Sequence, residues 1–423
     1  MIEKLNYNLS DSKYVGKTKE NCMKEIVKNK EELSKLIKDF QGIEILEFVG
    51  SGSESNVYHI SISSKNNINK KEKKDAIMKL IIDKRNLKNK EIYISQILKN
   101  KNIIGCYTHS FLDQGKSPFL IMEYAKYGNL RDFNEKVLKR RYFSESLICY
   151  LAYQILNGIK YMHICKIAHM DLKPQNIVID QYMNAKIVDF SVSLIYKKKR
   201  PEDYIKLPFV GTNFYMSKEI LKKDTIKVKD LHKVDLYAFG VILYNLAFDE
   251  YPYGLEKKDA HDYKIILEKI ETNKLTFPNT EDFSSHFLDF ISKLLEKDIE
   301  KRINMSEVLN HYWIKGGRIL LDEQEKVYNA GVFLSYLLTN HISDFDAYIN
   351  KSQWGLILDN KELDKVHGIS GCPPGRGSVI QFVCLALISG LIIKYVSIFS
   401  ILIYMSKFLK VMYILFLSYK NIL

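Results

Sequence analysis

Polar and charged residues dominate up to Gln41, yet Met23, Ile26, Leu33, Leu36, Ile37 and Phe40 recur at three- and four-residue steps, the period of one helical face. An amphipathic helical extension over residues 1–41 is therefore expected. From Ile43 the texture changes to short apolar runs, IEILEFVG, NVYHISIS and DAIMKLII, which predict an antiparallel meander. The basic, Asn-rich SSKNNINKKEKKD between the last two reads as a long solvated loop. A helical segment is expected around Lys88–Leu98. Beyond Gly128 the periods are mainly helical, as in SESLICYLAYQILNGIKYMH and VDLYAFGVILYNLAF, with a short strand pair near Asn176–Asp189. A small β-rich part followed by a larger helical part is an α+β, bilobal plan. The end of the chain is different again: 379–405 is almost wholly apolar except Lys394, and 408–418 is apolar apart from Lys410.

Composition narrows the field. At 423 residues with 46% hydrophobic and 27% charged positions, the chain has enough apolar side chains for a sizeable core, which excludes wholesale disorder. The formal charge of +13 favours anionic partners, although a solvated basic surface and the Lys, Asn and Ile bias of AT-rich coding give the same number. Six cysteines lie far apart with no C-x-x-C pair, which argues against a disulfide framework or zinc site and suits a reducing compartment. The polar N-terminus offers no apolar core for a secretory signal, and no internal repeat is visible.

The chemistry-bearing residues are spread widely. Gly50-Ser51-Gly52-Ser53-Glu54-Ser55-Asn56-Val57 lies between two strand-like runs, where small residues let backbone N–H groups approach phosphate oxygens. Lys79 follows at a strand end. The strongest signal is His169-Met170-Asp171-Leu172-Lys173-Pro174-Gln175-Asn176, then Asp189-Phe190-Ser191. On this combination residues 43–315 resemble the eukaryotic protein kinase family, serine/threonine branch, with Lys173 and Gly211-Thr212 carrying the branch.

The resemblance implies a bilobal kinase domain over 42–316, with an N-lobe at 42–125 and a C-lobe at 126–316, using ATP and Mg²⁺. Asp171 would orient the attacking hydroxyl, Lys173 would steady the moving phosphoryl charge, and Asn176 and Asp189 would offer oxygen to Mg²⁺. Gly50, Ser51, Gly52, Ser53 and Val57 would cover the nucleotide. Lys79, aimed by Glu91, would hold its α/β-phosphates, while the Glu123 carbonyl and Ala125 backbone would meet the adenine edge, with Met122 as gatekeeper. Asp235 would anchor the catalytic loop, Arg302 would pair with Glu219, and His311-Tyr312-Trp313-Ile314 would end the domain.

The sequence departs from the family in several places. Met170 stands where an arginine usually receives an activation-loop phosphate, so activity independent of phosphorylation at a residue such as Tyr204 is expected. Ser191 replaces a glycine and is expected to disfavour a flipped-out Asp189-Phe190 conformer. Ser55 replaces a loop glycine, and proline is absent from Ser217-Lys218-Glu219. Ile77 stands where alanine usually lies over adenine. Ser95 and Cys106 stand where bulky apolar side chains usually back the helix of Glu91, and predict a looser helix. The gap between Lys79 and Glu91 is short for the family.

Two functional readings follow: a kinase acting on Ser/Thr hydroxyls of a protein substrate, or a pseudokinase scaffold that binds partners or nucleotide without transfer. No nucleic-acid module is recognised. Residues 317–370 form a C-terminal extension expected to pack on the C-lobe. Residues 371–423 form a hydrophobic tail with two open readings. One is a tail anchor through 379–418 that leaves the kinase domain cytoplasmic; the other is translated non-coding sequence. The oligomeric state is open.

Overall fold

The apolar alternation after Ile43 does fold as strands. A computed structural model of the protein describes residues 42–327, except 52–54, 66–70, 82–87, 113–116, 139–142 and 279. Five strands, β1 (Ile43–Ser51), β2 (Ser55–Lys65), β3 (Lys71–Ile81), β4 (Cys106–Leu112) and β5 (Ser117–Glu123), form one sheet in the order β1-β2-β3-β5-β4. Every pairing is antiparallel. Register assigns the two faces: Tyr58, Met78 and Ile121 line one, and Val57, Lys79 and Leu120 the other. The first face is backed by Ile45, Ile60, Ala76, Leu80 and Phe119. The second meets helix α1 (Lys88–Ile97) through Ile81, Ile92, Cys106 and Leu120.

One expectation is corrected here. The basic stretch after Ser63 is not a long loop, because β2 and β3 stay paired out to Lys65↔Lys71 and leave only 66–70 to turn the chain. Strand pairing uses backbone groups, so polar residues extended the ladder without leaving an apolar period.

The larger part is helical. Helix α2 (Glu145–Ile164) begins where the Ser144 side chain accepts the Leu147 N–H. It runs through one continuous core together with α4 (His232–Phe248) and α6 (Ser285–Leu294). Between α2 and α4 lie two antiparallel pairs, β6 (Ile167–Ala168) with β9 (Leu194–Ile195) and the hairpin β7 (Ile177–Ile179) with β8 (Ala185–Ile187). A further pair, β10 (Tyr204–Lys206) with β11 (Thr225–Lys227), flanks the short helix α3 (Lys218–Lys222). The chain continues through α5 (Tyr263–Thr272), α7 (Met305–Asn310) and α8 (Tyr312–Val327).

Helix α8 crosses the boundary expected at residue 316. A Cβ on Gly317 would lie 2.5 Å from the Cys149 carbonyl, so glycine lets α8 close onto α2, and Leu320 is buried behind it. The helix is described as far as residue 327. The amphipathic helix expected over 1–41, the remainder of 317–370 and the tail 371–423 lie outside the described residues. Among the described residues no helix is long and apolar enough to cross a membrane.

Candidate active site

The site is built where the sheet's second face meets the loops above β6, β7 and β8. Val57 stands opposite Lys79 on the neighbouring strand, and Gly50 opposite Val57, which stacks the phosphate-loop base over the lysine. Gly52 and Ser53 fall outside the described residues. Lys79 Nζ donates to Glu91 Oε1 at 2.5 Å and to Asp189 Oδ1 at 2.8 Å. Lys79 and Glu91 are 6% and 5% exposed, so each charge needs its partner. Burial alone would lower the lysine's pKa, but the two carboxylates outweigh it and hold the ammonium above its usual range. Burial would likewise raise Asp189, and Lys79 reverses this, keeping that carboxyl ionised far below its usual range.

Asp189 sits in the left-handed region at φ 67, a strained conformation for a non-glycine residue. Its carboxylate turns back to accept the Ser191 N–H at 3.3 Å. Phe190 is buried with its ring 5.9 Å from His169. Ser191 is not among the positive-φ residues, so this conformer does not use the freedom that glycine would bring.

The second cluster surrounds Asp171. Lys173 Nζ donates to Asp171 Oδ2 at 2.7 Å and to Thr212 Oγ1 at 2.8 Å, and the Thr212 hydroxyl donates to Asp171 Oδ1 at 2.7 Å. Asn176 Nδ2 donates to the Asp171 carbonyl at 2.8 Å and its carboxylate at 3.2 Å, leaving the amide oxygen for another cation or donor. The Val188 N–H donates to the Asn176 carbonyl at 3.0 Å, so Asp189 and Asn176 belong to one framework. The structure therefore brings Lys79, Glu91, Asp171, Lys173, Asn176 and Asp189 together.

Buried Asp235 fixes the loop that carries Asp171. Its carboxylate accepts the His169 and Met170 N–H groups at 2.8 and 3.0 Å and pairs with His163 Nε2 at 2.7 Å. Burial would raise this carboxyl, but His163, His169 and the Met170 N–H together outweigh it and hold it below the usual range. Gly211 lies against the same loop: a Cβ there would lie 2.5 Å from the Met170 carbonyl. Arg302 pairs with Glu219 at 2.6 Å, as the resemblance implied.

Glu123 ends β5, and Ala125 follows in the connection to the C-lobe. The Glu123 side chain turns away, accepting from Lys186 at 2.9 Å and from the Gly105 N–H at 3.1 Å. Ile77 and Met122 are register partners, both on the face that carries Lys79. Ser95, within α1, and Cys106, at the start of β4, are both buried.

Thr212, Lys186 and His163 were not identified as site-supporting residues from sequence. Thr212 alone left a trace, as the hydroxyl following Gly211 in the pair that carries the serine/threonine branch of the resemblance. The other two act through partners 63 and 72 positions away, which no local pattern reports.

Among the described residues no three His, Cys, Asp or Glu side chains converge as a preformed metal cage. Two oxygen donors beside each other, Asp189 and Asn176, fit a hard cation that keeps its other positions for water and phosphate.

Residues 43–314 match the protein kinase domain family. The chain is 34% identical over 276 residues to an Aurora kinase of Eremothecium gossypii, covering 64% of this chain and 69% of that one. It is 29% identical over 330 residues to the serine/threonine-protein kinase pakD of Dictyostelium discoideum, covering 71% of this chain and 18% of that one. It is also 29% identical over 374 residues to calcium-dependent protein kinase 4 of Plasmodium berghei, covering 81% of this chain and 63% of that one. The chain thus spans under a fifth of the pakD protein and about two thirds of the other two.

Proposed function

The chain belongs to the protein kinase family, and from that premise we propose that it is a serine/threonine kinase that moves the γ-phosphoryl of ATP, with Mg²⁺, onto a protein hydroxyl. One observation carries the reading: Lys79, Asp171, Asn176 and Asp189 lie in one bonded framework, each with the partner its role requires. Lys79, held cationic by Glu91, binds the α/β-phosphates. Asp171, fixed by Thr212, Lys173 and Asn176, accepts the acceptor-hydroxyl proton through its carboxylate, and Lys173 places positive charge beside the transferring group. Asp189 and Asn176 would hold Mg²⁺, which neutralises phosphate charge during transfer. Glu123 and Ala125 would present main-chain groups to adenine.

Independence from activation-loop phosphorylation is part of the proposal. Between Asp189 and Thr212 the hydroxyl residues are Ser191, Ser193, Tyr196 and Tyr204, of which Ser193 and Tyr196 are buried and Tyr204 alone is exposed. Backbone bonds hold this stretch in place: β10 pairs with β11, and Val228 and Lys229 donate to the Asp203 and Pro201 carbonyls at 2.9 Å. With Met170 uncharged, order here comes from strand pairing rather than from a phosphate.

Incubation with Mg-ATP and a panel of Ser/Thr peptides tests the enzyme reading. Asp171→Asn is expected to lower transfer by about 10²–10⁴, and phosphatase treatment or Tyr204→Phe to leave the rate within about twofold of wild type. Nucleotide binding by wild type without any transfer would favour the scaffold instead. The tail anchor through 379–418 rests on sequence alone and predicts alkali-resistant membrane association of the full chain.

A further inference from the structure

The stretch 197–229 holds ten lysines and arginines against four carboxylates. Most of those carboxylates are engaged: Glu219 is buried against Arg302, Glu202 lies between Lys227 and Lys229, and Asp203 pairs with Arg200. Lys198, Lys199, Lys206 and Lys223 are exposed and Lys218 is half-buried, and none has a carboxylate within 4.0 Å among the described residues. Lys197 reaches only the Tyr93 hydroxyl, at 3.1 Å. The surface therefore carries cations that the fold does not use.

Their place is specific. Thr212 is bonded to Asp171 and Gly211 lies against the Met170 carbonyl, so residues 207–216 form one wall beside the acceptor position. Phe209 in that wall packs edge-on against Tyr263 with centroids 5.1 Å apart, and Lys223 Nζ sits 5.3 Å from the Phe209 ring centre. Lys206 immediately precedes the wall, and Lys218 follows it at the start of α3. Across from it Arg131 is 67% exposed and close enough for its charge to act on the Tyr215 hydroxyl, which also feels Asp171. Two nearby acids are occupied: Asp262 caps α5 and Asp259 pairs with Lys269, while half-buried Asp224 is the one acid beside Lys223 in the chain.

We propose that this basic rim selects protein substrates whose Ser/Thr acceptor is flanked by acidic residues, with Lys206 and Lys223 as the main specificity determinants. The inference rests on the kinase reading above and adds its substrate class. Charge complementarity at an exposed rim acts mainly on encounter and on KM, and weakens with salt.

Three peptides with one serine flanked by alanine, glutamate or arginine test it on the full-length protein. Glu-flanked peptide is expected to exceed Ala-flanked peptide in kcat/KM by about tenfold, mostly through KM, with the ratio shrinking between about 0.05 and 0.5 M salt. Lys206→Glu/Lys223→Glu is expected to reverse the order in favour of arginine. The same charge change at exposed Lys160 and Lys274 should leave the ratio as in wild type. Turnover of all three peptides at equal efficiency would leave the kinase standing and overturn the acidic preference. So would a reversal variant that loses only its binding to phosphatidylserine vesicles. If no peptide is phosphorylated the kinase reading fails, and anisotropy with the labelled Glu-flanked peptide decides the rim: salt-sensitive binding lost in the reversal variant supports it, and its absence overturns it.

Discussion

Lys79–Glu91 in the N-lobe and Arg302–Glu219 in the C-lobe are both buried ion pairs, and they are held in different ways. Arg302 and Glu219, with side chains 0% and 3% exposed, sit in the continuous C-lobe core. Arg302 also donates to the Glu296 and Lys233 carbonyls and lies 4.8 Å from the Tyr237 ring centre. Lys79 and Glu91 are nearly as buried, but their surroundings are a small cluster of Ile81, Ile92, Cys106 and Leu120, with Ser95 one turn beyond Glu91. The contrast separates a pair locked into a continuous core from one backed by few apolar side chains. A kinase needs both: a rigid platform for Asp171, and a nucleotide lysine whose partner can come and go.

The sharpest way to break that contrast is to remove the cation from each pair. Arg302→Ala strands Glu219 inside a packed core and is expected to cost about 3–5 kcal/mol, lowering Tm by about 10 °C. Lys79→Ala abolishes transfer, yet α1 can turn Glu91 toward water, so the stability cost is expected to be about 1–2 kcal/mol. Calorimetry of both variants decides: equal losses would mean that α1 is as firmly tied as α3.

The next effect belongs to the C-lobe alone. His232 opens α4, and burial, with His163 adding to it, brings its pKa from 6.5 down to about 4. Below about pH 6.5 the unfolded chain takes up a proton that the folded chain refuses until about pH 4. Its contribution is therefore present above pH 6.5 and lost as pH falls toward 4, on the order of 2–3 kcal/mol. His232→Gln should flatten the wild-type decline in stability between pH 7 and 4, measured by urea unfolding. An unchanged slope would place the acid sensitivity in other groups.

The sequence disclosed the two halves of the site unequally. Asp171, Asn176 and Asp189 were legible because they lie in short runs that carry the family resemblance, whereas Lys79 stands in no such run and was reached only through that resemblance. The helices were legible from their apolar period. What was hidden depends on long separation or on backbone alone. Glu145 accepts from Trp313 Nε1 at 2.8 Å and from the Ser284 N–H at 2.7 Å, across 168 and 139 residues. The β10–β11 pair is three residues long, with only Ile205 opposite Ile226 as an apolar pair between Tyr204↔Lys227 and Lys206↔Thr225, too short for an alternation to be read. The polar ends of β2 and β3 likewise looked like loop.

The smallest prediction tests the looseness of α1 most directly. Ser95 is 2% exposed and lies on the face of α1 that carries Glu91, four residues earlier. Alanine there removes a buried hydroxyl and adds helix propensity worth about 0.5 kcal/mol. If the N-lobe pair is mobile because its backing is polar and small, Ser95→Ala should raise Tm by about 1–2 °C. It should also slow amide exchange across α1 and lower KM for ATP by less than about twofold. A loss of stability on the same change would mean that the hydroxyl anchors the helix. Lys79 and Arg302 would then sit in equally fixed surroundings, and the motion that separates the two lobes would have to come from the connection at Glu123 and Lys186 instead.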